Sequence, residues 1–401
     1  MHSSSPRPPW QSVVLRPPPW TPLLVAARWW VRYGPGTAVK QRLLREWLDV
    51  GLRQRPRPPM IVRTRHGLRF QIPTTLDFIA RTVYIHGCWE PCLSEFLAAR
   101  LHPGAVFIDI GAAGGWHTLL AAHLVGDTGA VVAVEPAPAA QQQLRANLAL
   151  NGFGNVRVET AAVATEPGKV SLYVPDSGNA GATTTIRPDH YESEVTVPGL
   201  PLTGILHDDD LARARIIKID VEGAEATVLT ALAPLILRLR HDCEILVEVT
   251  PRWLATTGHT AEQLLEPFTN NGFRAFVVHN SYQPQNMPGM LRHPAAPAPL
   301  TGPITRQTDL LLSRIYTTGH DRASTPPAAP ETDGRISEAL GWLRADPLTA
   351  QRALNTAELP ADVPRHIEVL DDILRDDHKW TIQWRTTVAN AVLTARDTGS
   401  Q

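Results

Sequence analysis

From residue 61 onward, short apolar runs alternate with stretches whose apolar side chains recur every three or four positions. The runs at 106–110, 130–134, 156–160, 216–219, 244–249, 273–278 and 309–315 read as strands, and most carry apolar residues at consecutive positions, the pattern of strands covered on both faces. Between them, 115–124, 138–150, 224–240 and 260–271 have helical spacing. Ahead of this alternation, 61–65 and 68–72 flank His66-Gly67 and predict a hairpin, while 77–87 and 90–101 predict helices. The expectation is an α/β fold with a mostly parallel seven-stranded sheet and helices on both faces.

The alternation lapses at 163–206, which is turn-rich with short strand patterns, and at the Pro-rich, irregular stretch 284–303. Residues 317–334 read as a linker, and 335–401 as a helical extension broken at Pro347, Pro360 and Pro364. The apolar positions Ile336, Leu340, Leu343, Ile367, Leu370, Ile373 and Leu374 must be covered by the same chain or by a second copy in a homodimer. The predicted organisation is an N-terminal extension at 1–60, the α/β domain at 61–316, the linker at 317–334 and the C-terminal extension at 335–401.

The composition is too apolar, at 43% hydrophobic, for a wholly disordered chain. Lys+Arg of 38 against Asp+Glu of 39 gives a net charge of −1, but the total hides an asymmetry. Residues 1–66 hold twelve Lys/Arg and two acids, a net of +10, which leaves −11 for the rest. An acidic body argues against nucleic acid as partner. The basic arm also holds five of the eleven Trp: Trp10, Trp20, Trp29, Trp30 and Trp47. After a Pro/Ser-rich run from Ser3 to Pro19, it offers two helical candidates, 23–33 and 37–52. Neither has the uninterrupted apolar run of about 18 residues that a membrane span requires. The run 23–27 is also too short for a signal peptide. The arm reads either as an interfacial anchor, with Trp and Arg at an anionic membrane surface, or as a helical cap packed on the domain. The cap is the expectation, because burying one face is what most such helices do. Cys88, Cys92 and Cys243 make neither a disulfide framework nor a zinc site. They read as plain thiols in a reducing compartment, and a cytoplasmic location is expected.

The chemistry gathers at three strand ends. The first strand runs into VFIDIGAAGG, with Asp109, Gly111, Gly114 and Gly115. Glycine lets a ligand approach the backbone, and a helix starting near Gly115 presents free N–H groups. The G-x-G-x-x-G of dinucleotide enzymes fails here, because Ala113 and Trp116 stand where glycines are required. An acid at Asp109 suits a cationic ligand better than a pyrophosphate. The second strand ends in VVAVEP, where Glu135 can accept both hydroxyls of a ribose. The third is IIKIDVEGAE, which crowds Asp220, Glu222, Gly223 and Glu225 at one strand end. A helix cap explains one of these acids and leaves the others without a structural role.

In this order, VFIDIGAAGGWHTLLAA, VVAVEP, the helix ending NLALNG, and IIKIDVEGAEATVL resemble the FkbM-type S-adenosylmethionine-dependent methyltransferases. The resemblance spans roughly residues 62–314 and takes in the lead-in YIHGCWEPCLSEFLAARLHPG and the loop GNAGATTTI. It implies a Rossmann-like class I methyltransferase fold. It also implies S-adenosylmethionine as cofactor and methyl transfer to an oxygen of a small-molecule or glycan acceptor in a biosynthetic pathway. Cofactor contacts fall to Asp109, Gly111, Ala113, Gly115, Glu135 and Asp220. The family has Asn or His where this chain has Ala113, so one side-chain contact is missing. The family's Leu-Asp-Asp before the fourth strand reads PLTGILHDDD here, and Asp208–Asp210 are taken as a solvated charge cluster.

A hydroxyl acceptor needs a base or a metal to take its proton. Candidates on the rim are Asp220, Glu222, Glu248 and His279. Lys218 reads as structural or paired, and His117 as a substrate contact or a cap. Asp220 and Glu248 are too few carboxylates to assign a metal site, so none is assigned and a divalent cation is the less expected case. Thr183–Thr185 read as an ordinary polar loop. The alternatives are a non-catalytic scaffold acting through its two extensions, and a nicotinamide-dependent dehydrogenase, which the broken glycine fingerprint disfavours.

Overall fold

The structure, a computed structural model, describes residues 21–174 and 183–317. The Pro/Ser-rich run, the linker and the C-terminal extension lie outside the described residues.

The strands in chain order are β1 (Met60–Arg63), β2 (Arg69–Ile72), β3 (Val106–Ile110), β4 (Ala130–Val134), β5 (Val156–Glu159), β6 (Ala162–Val163) and β7 (Gly168–Val174). They continue with β8 (Ser193–Leu200), β9 (Ala214–Ile219), β10 (Glu244–Val249), β11 (Arg274–Val278), β12 (Ala298–Pro299) and β13 (Thr308–Ser313). The main sheet has the order β12-β11-β13-β10-β9-β3-β4-β5. Its central strands pair in parallel, and β13 is inserted antiparallel between β10 and β11. This is the mostly parallel, Rossmann-like sheet expected. The count is eight rather than seven, because the two-residue β12 pairs with β11 at the edge. So short a pairing leaves no hydrophobic period to read.

Strand alternation divides the core into two layers. Ile108, Ile110, Val132, Val134, Ile217 and Ile219 face one, and Phe107, Val131, Ile216 and Leu246 face the other. Asp109 and Lys218 stand on the Phe107 side. They are Cα partners on adjacent parallel strands, so both enter the second layer beneath the helices Pro91–Arg100 and Trp116–Val125.

The turn-rich stretch folds into a three-stranded sheet, β6-β8-β7. The β1–β2 hairpin is fastened to the helix Pro138–Asn151: Gln71 N–H donates to Asn147 Oδ1 (2.7 Å) and Arg69 N–H to Asn151 Oδ1 (2.8 Å). The predicted helix 224–240 stops being α-helical at Leu232 and continues as a 3₁₀ turn, Ala233–Arg238, where Pro234 removes a donor. Asp208–Asp210 open a short helix, Asp208–Arg213, whose N-terminus favours acids, and Asp210 pairs with Arg157.

The helix Thr21–Tyr33 packs Leu24, Ala27 and Val31 into a third core with Leu44, Leu48, Phe70 and Val83. Arg28 Nε donates to Tyr84 O (2.6 Å) and Arg32 Nε to Ile85 O (2.7 Å), so both satisfy carbonyls at the end of the helix Phe78–His86. The expected cap is therefore present. Among the described residues no helix is long and apolar enough to cross a membrane. All three cysteines are buried and free.

Candidate active site

The crevice opens where β3 is flanked by β4 on one side and β9 on the other, the position at which α/β sheets place ligands. A cavity of about 330 Å³ lies there. That is within the range of small-molecule sites. One end is bounded by Gly111, Ala113, Glu135, Pro136 and Ala137, the other by Trp89, Glu90, Glu248, Tyr282 and Gln307, and Asp220 and Glu222 lie between.

Backbone conformation marks the same place. Among the described residues, three non-glycine residues have left-handed backbone: Glu90 (φ 43°), Ala113 (φ 47°) and Glu222 (φ 39°). All three line this cavity. Such conformations cost on the order of 1–3 kcal/mol each and cluster at functional sites.

The β3 turn is set by Gly111, with φ of 90°. A Cβ there would sit 1.7 Å from the Asp220 carbonyl oxygen, so only glycine lets the two strand ends approach. Gly115 differs. It does not line the cavity, and its missing Cβ leaves room for Leu144 Cδ1, 2.5 Å from where that atom would stand. Its role is helix packing.

Glu135, at the tip of β4, is bound through both oxygens. Ala113 N–H donates to Oε2 (2.7 Å) and Ala137 N–H to Oε1 (2.8 Å). Burial pushes its carboxyl up to about 7, against the pull of these two donors. Each oxygen keeps a further lone pair, so the carboxylate can still accept from a vicinal diol.

Asp109 does not reach the cavity. It is 1% exposed, accepts from Thr118 Oγ1 (2.6 Å) and lies 3.7 Å from Lys218 Nζ. Lys218 Nζ also donates to Asp220 Oδ2 (2.9 Å). Burial disfavours the charged lysine, but Asp220, Asp109 and Glu90 outweigh it and raise its pKa. Asp109 thus orients Lys218, and Lys218 orients Asp220.

The D-V-E-G-A-E turn divides its acids between two jobs. Glu225 is buried and accepts from Gly223 N–H through both oxygens (3.0 and 3.1 Å), so it shapes the turn. Glu222 faces the cavity, and its carbonyl accepts from Thr184 Oγ1 (2.7 Å). Thr183 and Thr185 line the cavity, so this stretch is part of the wall rather than an ordinary surface loop. Burial, Asp220 and Glu225 push the Glu222 carboxyl up to about 7.

Asp220, Glu222 and Glu248 bring carboxylate oxygens within 4.8 Å of one another. Glu248 is the most perturbed: burial and the neighbouring Asp220, Asp309 and Glu222 push it up to about 10. Its Oε2 accepts from Gln307 Nε2 (2.7 Å). His279 is exposed beyond the end of β11 and does not line the cavity. His117 is buried, with Nε2 3.3 Å from Glu90 Oε2, and burial lowers its pKa, which leaves it neutral.

The end of the cavity at Trp89 and Tyr282 carries residues that the sequence motifs did not single out. Tyr282 Oη donates to Glu90 Oε1 (3.0 Å) and approaches Asp309 Oδ2 (3.2 Å). The Trp89 ring lies between Phe78 (5.4 Å) and Tyr282 (5.7 Å). Glu90 directly before Pro91 at a helix start was the one local signal, an acid that the fold then buries.

The donor set fits S-adenosylmethionine. Glu135 offers acceptors for a diol, Ala137, Ala162 and Val163 give an apolar wall, and the carboxylates of Asp220 and Glu222 suit cationic ammonium and sulfonium groups.

Residues 109–275 match the family described as the methyltransferase FkbM domain. No curated protein matches the chain. Among solved structures, a SAM-dependent O-methyltransferase from Thermotoga maritima is 14% identical, with 65% of this chain and 79% of that chain covered and a TM-score of 0.32. A precorrin-6y C5,15-methyltransferase from Geobacter metallireducens is 15% identical, covers 55% of this chain and 88% of its own, and has a TM-score of 0.30. An rRNA methylase from Streptococcus thermophilus is 13% identical, with 55% and 93% covered and a TM-score of 0.31.

Proposed function

We propose that this chain, whose residues 109–275 match the methyltransferase FkbM domain family, transfers a methyl group from S-adenosylmethionine to a hydroxyl oxygen of a small molecule or sugar. The observation that carries the reading is the continuous cavity, with a diol-accepting carboxylate at one end, an aromatic wall at the other and two carboxylates between.

Bound there, S-adenosylmethionine supplies an electrophilic methyl group on a sulfonium. The protein's task is to align the acceptor oxygen with that carbon, at about 3 Å, and to take its proton. Glu222 is the base in this scheme: it lines the cavity and is poised near neutral pH, where a general base works best. Glu248 holds its proton at neutral pH and so donates a hydrogen bond to the acceptor rather than removing a proton. Trp89 and Tyr282 line the cavity and give a sugar or an apolar ring an aromatic wall to pack on. Asp109 and Lys218 are positioning residues. His279 takes no part.

The test is a product-mass screen of hydroxylated acceptors with S-adenosylmethionine. Acceptor-dependent S-adenosylhomocysteine and a product heavier by one methylene support the reading. Its absence across sugars and phenols, with cofactor bound, argues against it.

A further inference from the structure

The helix Thr21–Tyr33 is polar on the wrong side. Its two arginines, Arg28 and Arg32, are half-buried and donate to backbone carbonyls of Val83, Tyr84 and Ile85. Every exposed side chain from residue 23 to 33 is apolar or aromatic: Leu23, Val25, Ala26, Trp29, Trp30 and Tyr33. Trp29 is 58% exposed and Tyr33 67%. A helix facing water turns its charges outward. This one spends them on the fold and shows rings to the outside.

Beside this face lies a cleft of about 440 Å³, lined by Arg28, Arg32, Tyr33, Arg63, Thr64 and Arg65. Tyr33 joins the two features, since its ring also meets Trp29 at 5.9 Å. No carboxylate lines the cleft, and none of the four arginines has an ion pair among the described residues. Burial, and then the neighbouring Arg28 and Arg65, pull Arg32 down to about 10.

We propose that the outer face of the helix Thr21–Tyr33, with the arginine cleft beside it, docks on an anionic lipid bilayer: Trp29, Trp30 and Tyr33 enter the interface and the cleft takes a headgroup phosphate. Trp and Tyr favour that depth of a bilayer, and Arg supplies bidentate contacts to phosphate. The charge balance selects this occupant over a second copy. A two-fold interface would set two copies of this arginine cleft against each other. An anionic bilayer neutralises them. The two features reinforce one another, since binding at a membrane interface grows with both the apolar area buried and the attraction to anionic lipid.

The test is co-sedimentation of the full chain with vesicles of phosphatidylcholine alone and of phosphatidylcholine mixed with phosphatidylglycerol. Binding is expected to the mixed vesicles only. The double variant W29S/W30S should weaken it about tenfold or more. The single variant R63E, at an exposed position, should weaken it and flatten its salt dependence. Both variants should retain S-adenosylhomocysteine affinity and thermal midpoint, which shows that they fold. Glycerol phosphate in solution should not release the protein, because it offers no interface to the rings. Failure to bind mixed vesicles, equal binding to both vesicle types, or binding indifferent to W29S/W30S overturns the proposal. So does a concentration-dependent dimer that W29S/W30S abolishes, which would assign the face to a second copy.

Discussion

Asp109 and Lys218 face each other across adjacent parallel strands, and Lys218 Nζ spans the 3.7 Å to Asp109 Oδ1 and the 2.9 Å to Asp220 Oδ2. Asp109 is buried, with Thr118 as its other side-chain partner. Replacing Lys218 by Met leaves an uncompensated buried carboxylate, and should cost about 3–5 kcal/mol in a denaturant titration. The double variant D109N/K218M should recover part of that loss, since a neutral amide needs no counter-charge.

Gly111→Ala places a methyl 1.7 Å from the Asp220 carbonyl oxygen at a φ of 90°. Neither strand end can give way without opening the cavity. The expected result is loss of S-adenosylhomocysteine binding with a lowered thermal midpoint. Gly115→Ala strains the Leu144 contact instead, so it should lower the midpoint with a smaller effect on affinity.

The pH profile separates Glu222 from Glu248. A base must be deprotonated, so kcat/KM should rise with pH through about 7, where Glu222 titrates. Glu222→Gln should remove that limb together with most of the rate.

Glu248 should appear in stability instead. Its carboxyl is pushed from an ordinary 4.5 up to about 10. Between those values the folded state keeps a proton that the unfolded chain has lost. Stability therefore falls as pH rises through that window. Glu248→Gln is neutral throughout and can keep the Gln307 contact. Its thermal midpoint should gain on that of the unsubstituted chain as pH rises, and match it near pH 4.

Much of this site was legible in the sequence because its parts lie at the ends of strongly apolar strands. The runs 106–110, 130–134 and 244–249 match β3, β4 and β10 to the residue. Glycine at 111 and the acids at 135, 220 and 222 follow directly on such ends. Asp109 was misplaced for a physical reason: one residue inside a strand, alternation turns the side chain away from the crevice and under the helices. Glu225 likewise looked like a site acid until its two hydrogen bonds to Gly223 N–H appeared. The end of the cavity at Glu90 and Tyr282 could not be read. Tyr282 and Glu90 are 192 positions apart, and only the folded sheet brings them to 3.0 Å. The stretch 163–206 shows short strand patterns, and β8 alternates from Glu194 to Val197, but Pro198 and Gly199 interrupt it and nothing local says that β6, β8 and β7 pair with one another.

The central claim is that the cavity at the ends of β3, β4 and β9 holds S-adenosylmethionine through Glu135. Calorimetric titration of S-adenosylhomocysteine into the full chain and into Glu135→Ala tests it most directly. Saturable binding with one ligand per chain, weakened by about 1–3 kcal/mol in the variant, is the predicted result. Absence of binding at about millimolar ligand, or equal affinity in the two proteins, would contradict it.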